Sequence, residues 1–105
     1  MAVCIQERQN SSVIASGDES AVLEFEGAWY FMPEDVNMDY LRFSDRTYTC
    51  PYKGVCYWID LELPSGQRAK NVGWVYRQPK AGYEFIKDRI GFYGRDTAGL
   101  QVSRV

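Results

Sequence analysis

A thiol and an amine lie close together in the segment 49–54, which reads Thr-Cys-Pro-Tyr-Lys-Gly. Pro51 suits the second position of a type I or type II turn because its φ is fixed, and the corners of such a turn lie within about 7 Å of each other. The spacing therefore predicts that Cys50 and Lys53 are neighbours. Gly54 allows a positive φ or a close approach of two backbones, and residues 55–61 are then predicted to form a strand.

Cys50 is a candidate catalytic nucleophile, because a nearby ammonium group favours the thiolate form of a cysteine and Lys53 supplies one. The chain contains no histidine, so Lys53 or a carboxylate such as that of Asp60 would have to move the proton. Most free cysteines are instead small buried hydrophobes. We favour this structural interpretation of Cys50 over catalysis.

Lys53 is a candidate ligand-binding residue, because a lysine held in a tight turn can present a point charge to a phosphate or a carboxylate. The alternative is a solvated turn lysine whose aliphatic stem covers Tyr52 or Trp74. The sequence leaves both interpretations open.

Aromatic side chains are unusually numerous for a chain of this length, with three tryptophans, eight tyrosines and five phenylalanines among 105 residues. Buried tryptophan and tyrosine need hydrogen-bond partners, and a small core supplies few of them. We therefore predict an aromatic pocket beside the turn, lined by Tyr52, Tyr57, Trp74 and Tyr76 together with Lys53. At least Trp74 or Tyr76 is expected to be partly exposed there.

Length and composition narrow the class of protein. A chain of 105 residues with 46% hydrophobic and 15% aromatic content predicts one domain, 1–105, with a strand-based core. The net charge of -2 gives no bulk attraction for nucleic acid or for anionic lipid. No apolar run approaches the roughly 20 residues of a membrane helix. We expect neither nucleic acid nor a membrane as a partner.

The three cysteines, Cys4, Cys50 and Cys56, do not form the paired clusters of a structural zinc site. Without histidine, the usual metal ligand is also missing, so we expect no metal and no cofactor. Cys50 and Cys56 are too far apart along an extended segment to form a disulfide unless the turn brings them together. No signal-like run follows Met1, so the simplest expectation is a cytoplasmic protein with reduced thiols.

Short apolar runs separated by turn residues predict strands throughout the chain. They lie at 3–5, 13–15, 21–25, 29–32, 57–63, 72–76, 90–93 and 100–102. Residues 16–19 and the pair Glu26-Gly27 are predicted hairpin turns, so the first third is expected to be a meander. One short helix is predicted over 80–88, and the stretch 36–43 remains unassigned between a helical turn and an irregular segment.

The residues 64–67 predict a hairpin connection between the strands at 57–63 and 72–76. A two-residue loop at Ser65-Gly66 would place Tyr57 opposite Trp74, and Cys56, Trp58 and Asp60 would lie on the other face. A three-residue loop would reverse this assignment. The register therefore stays open.

The segment 49–57, followed by Gly-Trp-Val-Tyr-Arg-Gln-Pro at 73–79 and Ile-Gly-Phe-Tyr at 90–93, resembles a family of small bacterial and fungal domains of unknown function. Some catalogues describe this family as nucleotidyltransferase-like. The likeness runs from about Trp29 to Tyr93. It implies a β-tent-like fold, of the type found in the thalidomide-binding domain of cereblon and in methionine sulfoxide reductase B, and it points to Cys50, Lys53, Tyr57, Trp74 and Tyr76 as the site.

The paired zinc cysteines of those tent-like proteins are missing from this sequence, so a metal is not carried over. The sequence also has no pair of acidic residues spaced to hold Mg²⁺ and no glycine-rich phosphate loop. A nucleotidyltransferase activity is therefore not carried over either.

Three functional hypotheses follow from these residues. The leading one is a module that binds a small planar or anionic ligand between Tyr57, Trp74 and Tyr76, with Lys53 supplying charge. The second is a cysteine-dependent enzyme in which Lys53 tunes Cys50. The third is a protein interaction module with an exposed aromatic face, for which a homodimer is one form.

Overall fold

Nine strands and three short 3₁₀ turns make up the computed structural model, which describes residues 1–97 and 99–104. The strands are β1 (Ala2–Glu7), β2 (Val13–Asp18), β3 (Leu23–Phe25), β4 (Ala28–Phe31), β5 (Leu41–Cys50), β6 (Gly54–Glu62), β7 (Arg68–Tyr76), β8 (Ile90–Tyr93) and β9 (Leu100–Arg104). The 3₁₀ turns are Pro33–Asp35, Met38–Tyr40 and Glu84–Ile86. Each predicted apolar run contributes a strand, so the prediction of a mainly β domain is confirmed.

The strands form two antiparallel sheets. The smaller sheet has the order β2-β1-β9, and the larger has the order β3-β4-β8-β7-β6-β5. Side chains alternate between the faces of a strand, and one buried cluster joins Val3 and Ile5 of the small sheet to Ile59, Val75 and Phe92 of the large one. This cluster is the main core. We call the side of the large sheet that carries Ile59, Val75 and Phe92 its inner face, and the opposite side its outer face.

The outer face of the large sheet carries a second buried cluster. Its members are Ala28, Tyr30, Cys56, Trp74, Tyr76 and Ile86. Ile86 belongs to the 3₁₀ turn Glu84–Ile86, which is the part of the predicted helix 80–88 that becomes helical. The helical segment is shorter than predicted because Gly82 and Asp88 both adopt positive φ, at 92° and 60°, which a right-handed helix does not accommodate.

The unassigned stretch 36–43 contains the turn Met38–Tyr40 and the beginning of β5. β5 is an edge strand with mostly exposed side chains, and its pairing with β6 shifts between Phe43 and Thr47. Bulges and polar side chains are common protections of an edge strand. They also remove the apolar alternation by which the other strands were predicted.

The predicted meander of the first third is wrong in one respect. Glu26 and Gly27 do form a two-residue hairpin turn between β3 and β4, with positive φ values of 53° and 77°, as a type I′ turn requires. Residues 16–18, however, are part of β2, and the turn comes later, where the amides of Ala21 and Val22 donate to the carbonyl of Asp18. β2 and β3 consequently lie in different sheets.

The register that a two-residue loop would have imposed on β6 and β7 is also wrong. Trp58 pairs with Trp74 and Cys56 with Tyr76, while Tyr57 pairs with Val75. The connection spans five residues, 63–67, because Glu62 pairs with Arg68. A shift of one residue in register exchanges the faces of a strand, so Trp58 and Trp74 share the outer face and Tyr57 lies on the inner one.

Glu7 is fully buried, and its carboxylate organises the loop between β1 and β2. The backbone amides of Gln9, Asn10 and Ser12 donate to its two oxygens at 2.9, 2.6 and 3.0 Å. These bonds favour the charged form. The amide of Ser12, followed by those of Gln9 and Asn10, holds the pKa of Glu7 below its ordinary value against the opposing effect of burial.

Substitution of Glu7 by Gln is expected to lower the melting temperature at pH 7, because the anionic acceptor of three amides is lost. A depressed folded-state pKa contributes stability above the unfolded pKa of about 4.3 and loses it as pH falls through the folded value. The difference between the two proteins in thermal denaturation should therefore shrink in acid. Glu34→Gln, at an exposed position, is the control, and a difference that stays constant down to pH 3 would contradict this role of Glu7.

Candidate functional site

A row of residues crosses four strands on the outer face of the large sheet. Trp58 of β6 pairs with Trp74 of β7, Trp74 pairs with Gly91 of β8, and Gly91 pairs with Tyr30 of β4. Alternation along each strand places these residues on one face. Two tryptophans and a tyrosine thus converge around a position without a side chain.

Gly91 makes this convergence possible. A Cβ atom at this position would lie 2.6 Å from Nε1 of Trp74 and 3.0 Å from a ring carbon of Tyr30. Because Gly91 has no side chain, the rings can approach there, and the indole N–H of Trp74 donates to the hydroxyl oxygen of Tyr30 at 3.0 Å in a buried hydrogen bond. Burial raises the pKa of Tyr30, so its phenol keeps its proton at neutral pH.

A recess of about 210 Å³ opens beside this row. Seven of its twelve lining residues are aromatic. The lining comprises Phe25, Glu26, Gly27, Ala28, Tyr30, Tyr48, Lys53, Cys56, Trp58, Trp74, Tyr76 and Tyr93. Trp74 stands nearly perpendicular to its neighbours, with interplanar angles of 81° to Trp58 and 72° to Tyr93. The recess therefore presents both ring faces and ring edges.

The turn 51–53 positions Lys53 at the mouth of the recess. Its backbone is fastened to the segment after β7, because the amide of Lys80 donates to the carbonyl of Lys53 and the ammonium of Lys80 donates to the carbonyl of Pro51, both at 2.9 Å. Gly54 follows with φ of 108°, and a Cβ atom there would make only an ordinary contact, at 3.4 Å, with the carbonyl oxygen of Gln78. Of the two predicted reasons for a glycine at this position, the positive φ is the one that the structure shows.

The side chain of Lys53 is only 16% exposed, and its ammonium forms a salt bridge with Glu26 in the β3–β4 turn. It also lies 5.8 Å from the ring centroids of Phe25 and Tyr76, within the range of cation–π attraction. Burial is the largest single influence and would lower the pKa of Lys53, but the hydrogen bond to the carboxylate of Glu26 and the nearby charges of Glu26, Tyr30 and Cys50 together raise it. Lys53 is therefore charged and paired.

Cys56 and Tyr76 lie at the floor of the recess, directly opposite each other on β6 and β7. Their pairing brings the hydroxyl of Tyr76 close to the thiol of Cys56. Burial raises the pKa of both groups. Neither ionises near neutral pH, so the floor is uncharged.

Cys50 lies at the end of β5, and the structure places it beside Lys53 as the turn predicted. The backbone amide of Lys53, then that of Tyr52, hydrogen bonds to its sulfur, and together with the charge of Lys53 they lower the pKa of Cys50. Cys50 does not belong to the lining of the recess. Its sulfur caps the turn that presents Lys53.

Of the predicted ligand-binding residues, Lys53, Trp74 and Tyr76 come together at the recess. Tyr52 is 73% exposed at the tip of the turn, and Tyr57 lies on the inner face, where it lines a separate groove with Val55 and Arg77. The expected partial exposure of Trp74 or Tyr76 is wrong, because they are only 9% and 3% exposed. Both belong to the outer cluster, where Trp74 forms a wall of the recess and Tyr76 part of its floor.

Asp60, the predicted alternative proton carrier, is occupied elsewhere. Its carboxylate accepts a hydrogen bond from the guanidinium of Arg46 and another from the backbone amide of Asn71. These contacts lie at the shift in register between β6 and β7. Asp60 therefore has a structural role away from the recess.

Sequence reasoning did not identify Glu26, Tyr30, Tyr48 or Tyr93 as parts of the site. Glu26, Tyr30 and Tyr93 are brought to the recess by the pairing of β4 with β8, which are distant in sequence, whereas Tyr48 pairs with Cys56 in the β5–β6 hairpin. Glu26 carried one signal, since it stands in a recognisable hairpin turn, but nothing local relates that turn to Lys53. Among the residues that the structure describes, no group of histidine, cysteine or acidic side chains is placed to hold a metal ion, and no helix is long and apolar enough to cross a membrane.

Two antiparallel sheets with a recess on the outer face of the larger one define a small β domain of the tent-like type. Its fold is similar to that of the "Yippee-like" domain of Mis18, with a TM-score of 0.67 over 100% of this chain and 98% of that one, at 15% sequence identity. The chain belongs to the family described as a domain of unknown function (DUF427), which matches residues 4–103 and carries a nucleotidyltransferase name. The resemblance found in the sequence is confirmed. No curated protein matches the chain significantly.

Substitution of Gly91 by Ala tests the packing of the row. The added methyl group meets the indole of Trp74 and should displace it from Tyr30, at a cost of about 1–3 kcal/mol in the free energy of unfolding. Urea denaturation measures this cost, and the near-ultraviolet circular dichroism of the tryptophans should change. Tyr30→Phe breaks the same hydrogen bond without adding volume and serves as the comparison. Native stability and an unchanged spectrum in Gly91→Ala would contradict the close approach.

Cys50 is expected to react with iodoacetamide several-fold faster than Cys4 or Cys56, because its pKa is lowered whereas burial raises the pKa of the other two thiols. Mass spectrometry of peptides after timed alkylation measures the three rates. In urea the three rates should become similar, which provides the control. Faster alkylation of Cys56 than of Cys50 in the folded domain would contradict the burial of Cys56 and the lowered pKa of Cys50.

Proposed function

We propose that this domain binds a small planar ligand in the aromatic recess. The observation that carries the proposal is the convergence of seven aromatic side chains and one ammonium group around a cavity of about 210 Å³. An apolar cavity of about 150 Å³ takes up benzene, so this recess suits a single ring with small substituents. Ligand sites are typically concave, mostly apolar and equipped with a few polar groups.

The arrangement of the rings favours a flat ligand. Trp58 and Trp74 stand at 81° with centroids 6.1 Å apart, and Tyr93 meets Trp74 at 72° and 4.9 Å. These rings already touch one another, and a planar ligand in the recess beside them would stack on one ring face and meet the edge of another. An aliphatic chain of the same volume would gain neither.

Polar groups at the mouth and floor add orientation. Lys53 has three N–H donors, of which Glu26 engages one. The phenol of Tyr30 accepts from Trp74 and keeps its own proton. These donors suit the polar edge of a heterocycle.

A cysteine-dependent reaction at Cys50 is the second candidate function, and the lowered pKa of this thiol favours it. The position of Cys50 speaks against it, because the sulfur accepts the amides of the turn and stands outside the lining of the recess. Binding therefore remains the first candidate.

Titration of tryptophan fluorescence with nucleobases, nucleosides and aromatic carboxylates tests the proposed function. Trp58→Leu removes one wall of the recess and should weaken any ligand found by about tenfold, the equivalent of one aromatic contact. Tyr57→Leu, on the next residue and the opposite face of β6, is the matched control and should leave affinity unchanged. The proposal fails if no compound alters the fluorescence, or if both variants lose affinity equally.

A further inference from the structure

The two charged side chains at the recess, Lys53 and Glu26, form a salt bridge with each other. Lys53 is held by Glu26, whose side chain is 54% exposed on the β3–β4 turn, while the ammonium reaches inward over Phe25 and Tyr76. The pair has no net charge. A ligand carboxylate placed beside Lys53 would also be repelled by the carboxylate of Glu26. The attraction of Lys53 would then not offset the free-energy cost of removing water from the ligand carboxylate.

A ligand cation is disfavoured for the opposite reason. The ammonium of Lys53 already makes the cation–π contacts with the rings of Phe25 and Tyr76, at 5.8 Å from each centroid, that a ligand cation would otherwise make. A second positive charge there would be repelled by the first. The aromatic lining alone would have admitted a cation.

The hydrogen-bonding groups have a defined direction. Trp74 donates to the oxygen of Tyr30, so the proton of Tyr30 points away from the indole, and no acceptor within residues 1–97 and 99–104 receives it. Lys53 keeps two further protons after its bond to Glu26. Both groups therefore offer donors, and a ligand must supply acceptors.

We propose that the ligand is an uncharged planar ring bearing hydrogen-bond acceptors such as carbonyl groups, with Tyr30 as the donor inside the recess and Glu26 as the residue that excludes anions. This proposal rests on the proposed function, since it specifies the chemical class bound at the same site. It separates a neutral oxo-heterocycle or aromatic amide from the anionic ligands that a lone lysine would select.

Three compounds that share a pyridine ring but differ in charge test the proposal. They are nicotinamide, which is neutral, nicotinate, which is an anion, and the picolylamine substituted at the same ring position, which is a cation. Two-dimensional NMR follows the indole N–H resonances of the tryptophans during each titration. Nicotinamide should bind at least about tenfold more tightly than either charged compound, because a carboxylate or an ammonium gains no net attraction from the paired charges.

Substitutions assign the roles. Glu26→Gln leaves Lys53 without its carboxylate and should raise the affinity for nicotinate by about tenfold, so that it equals or exceeds that for nicotinamide. Glu24→Gln, an exposed residue of β3 outside the lining, should change nothing. Tyr30→Phe keeps the ring and should weaken nicotinamide about tenfold through the lost donor.

Tighter binding of nicotinate or of the amine to the wild-type domain would overturn the proposal, and so would an unchanged order of affinities in Glu26→Gln. If none of the three probes binds although another planar compound does, this assignment of ligand class falls while the proposed binding function stands. Failure of every planar compound in the fluorescence titration would remove the binding function itself.

Discussion

The pairing of Trp58 with Trp74 is the contact on which the site depends. It requires that the connection between β6 and β7 contain an odd number of residues, because the parity of the loop decides which side chains share a face. The five residues 63–67 meet this requirement. Had the loop contained two residues, Tyr57 would stand opposite Trp74, and the outer face would lose one of its tryptophans to the core.

The shift in register between Ile59 and Leu61 then aligns the two tryptophans directly. Asp60 stabilises this irregularity, because it binds the amide of Asn71, which adopts a positive φ of 56°, together with Arg46 of the neighbouring β5. A residue that the sequence presents as a catalytic candidate thus serves the site indirectly. It fixes the alignment of strands at some distance from the recess.

Local parts of this structure were predictable and non-local parts were not. The turn 51–53 places Cys50 beside Lys53 by backbone geometry alone, and alternation of apolar residues reveals every strand except the polar edge strand β5. Glu26 lies 27 residues from Lys53, and Tyr30 lies 44 residues from Trp74. Only the order of strands in the sheet brings these pairs together, and a single sequence contains no direct signal of that order.

The same distinction explains the error in the expected exposure of Trp74 and Tyr76. A small core was expected to hide few aromatic side chains, but the large sheet has two apolar faces, and the outer cluster buries both residues. The packing is close at its centre, since Gly91 leaves room for the rings of Trp74 and Tyr30 where β7, β8 and β4 meet. A larger residue at that position would collide with Trp74 and separate it from Tyr30. The recess lies beside this packed centre, and its aromatic walls are held in place by their contacts with one another.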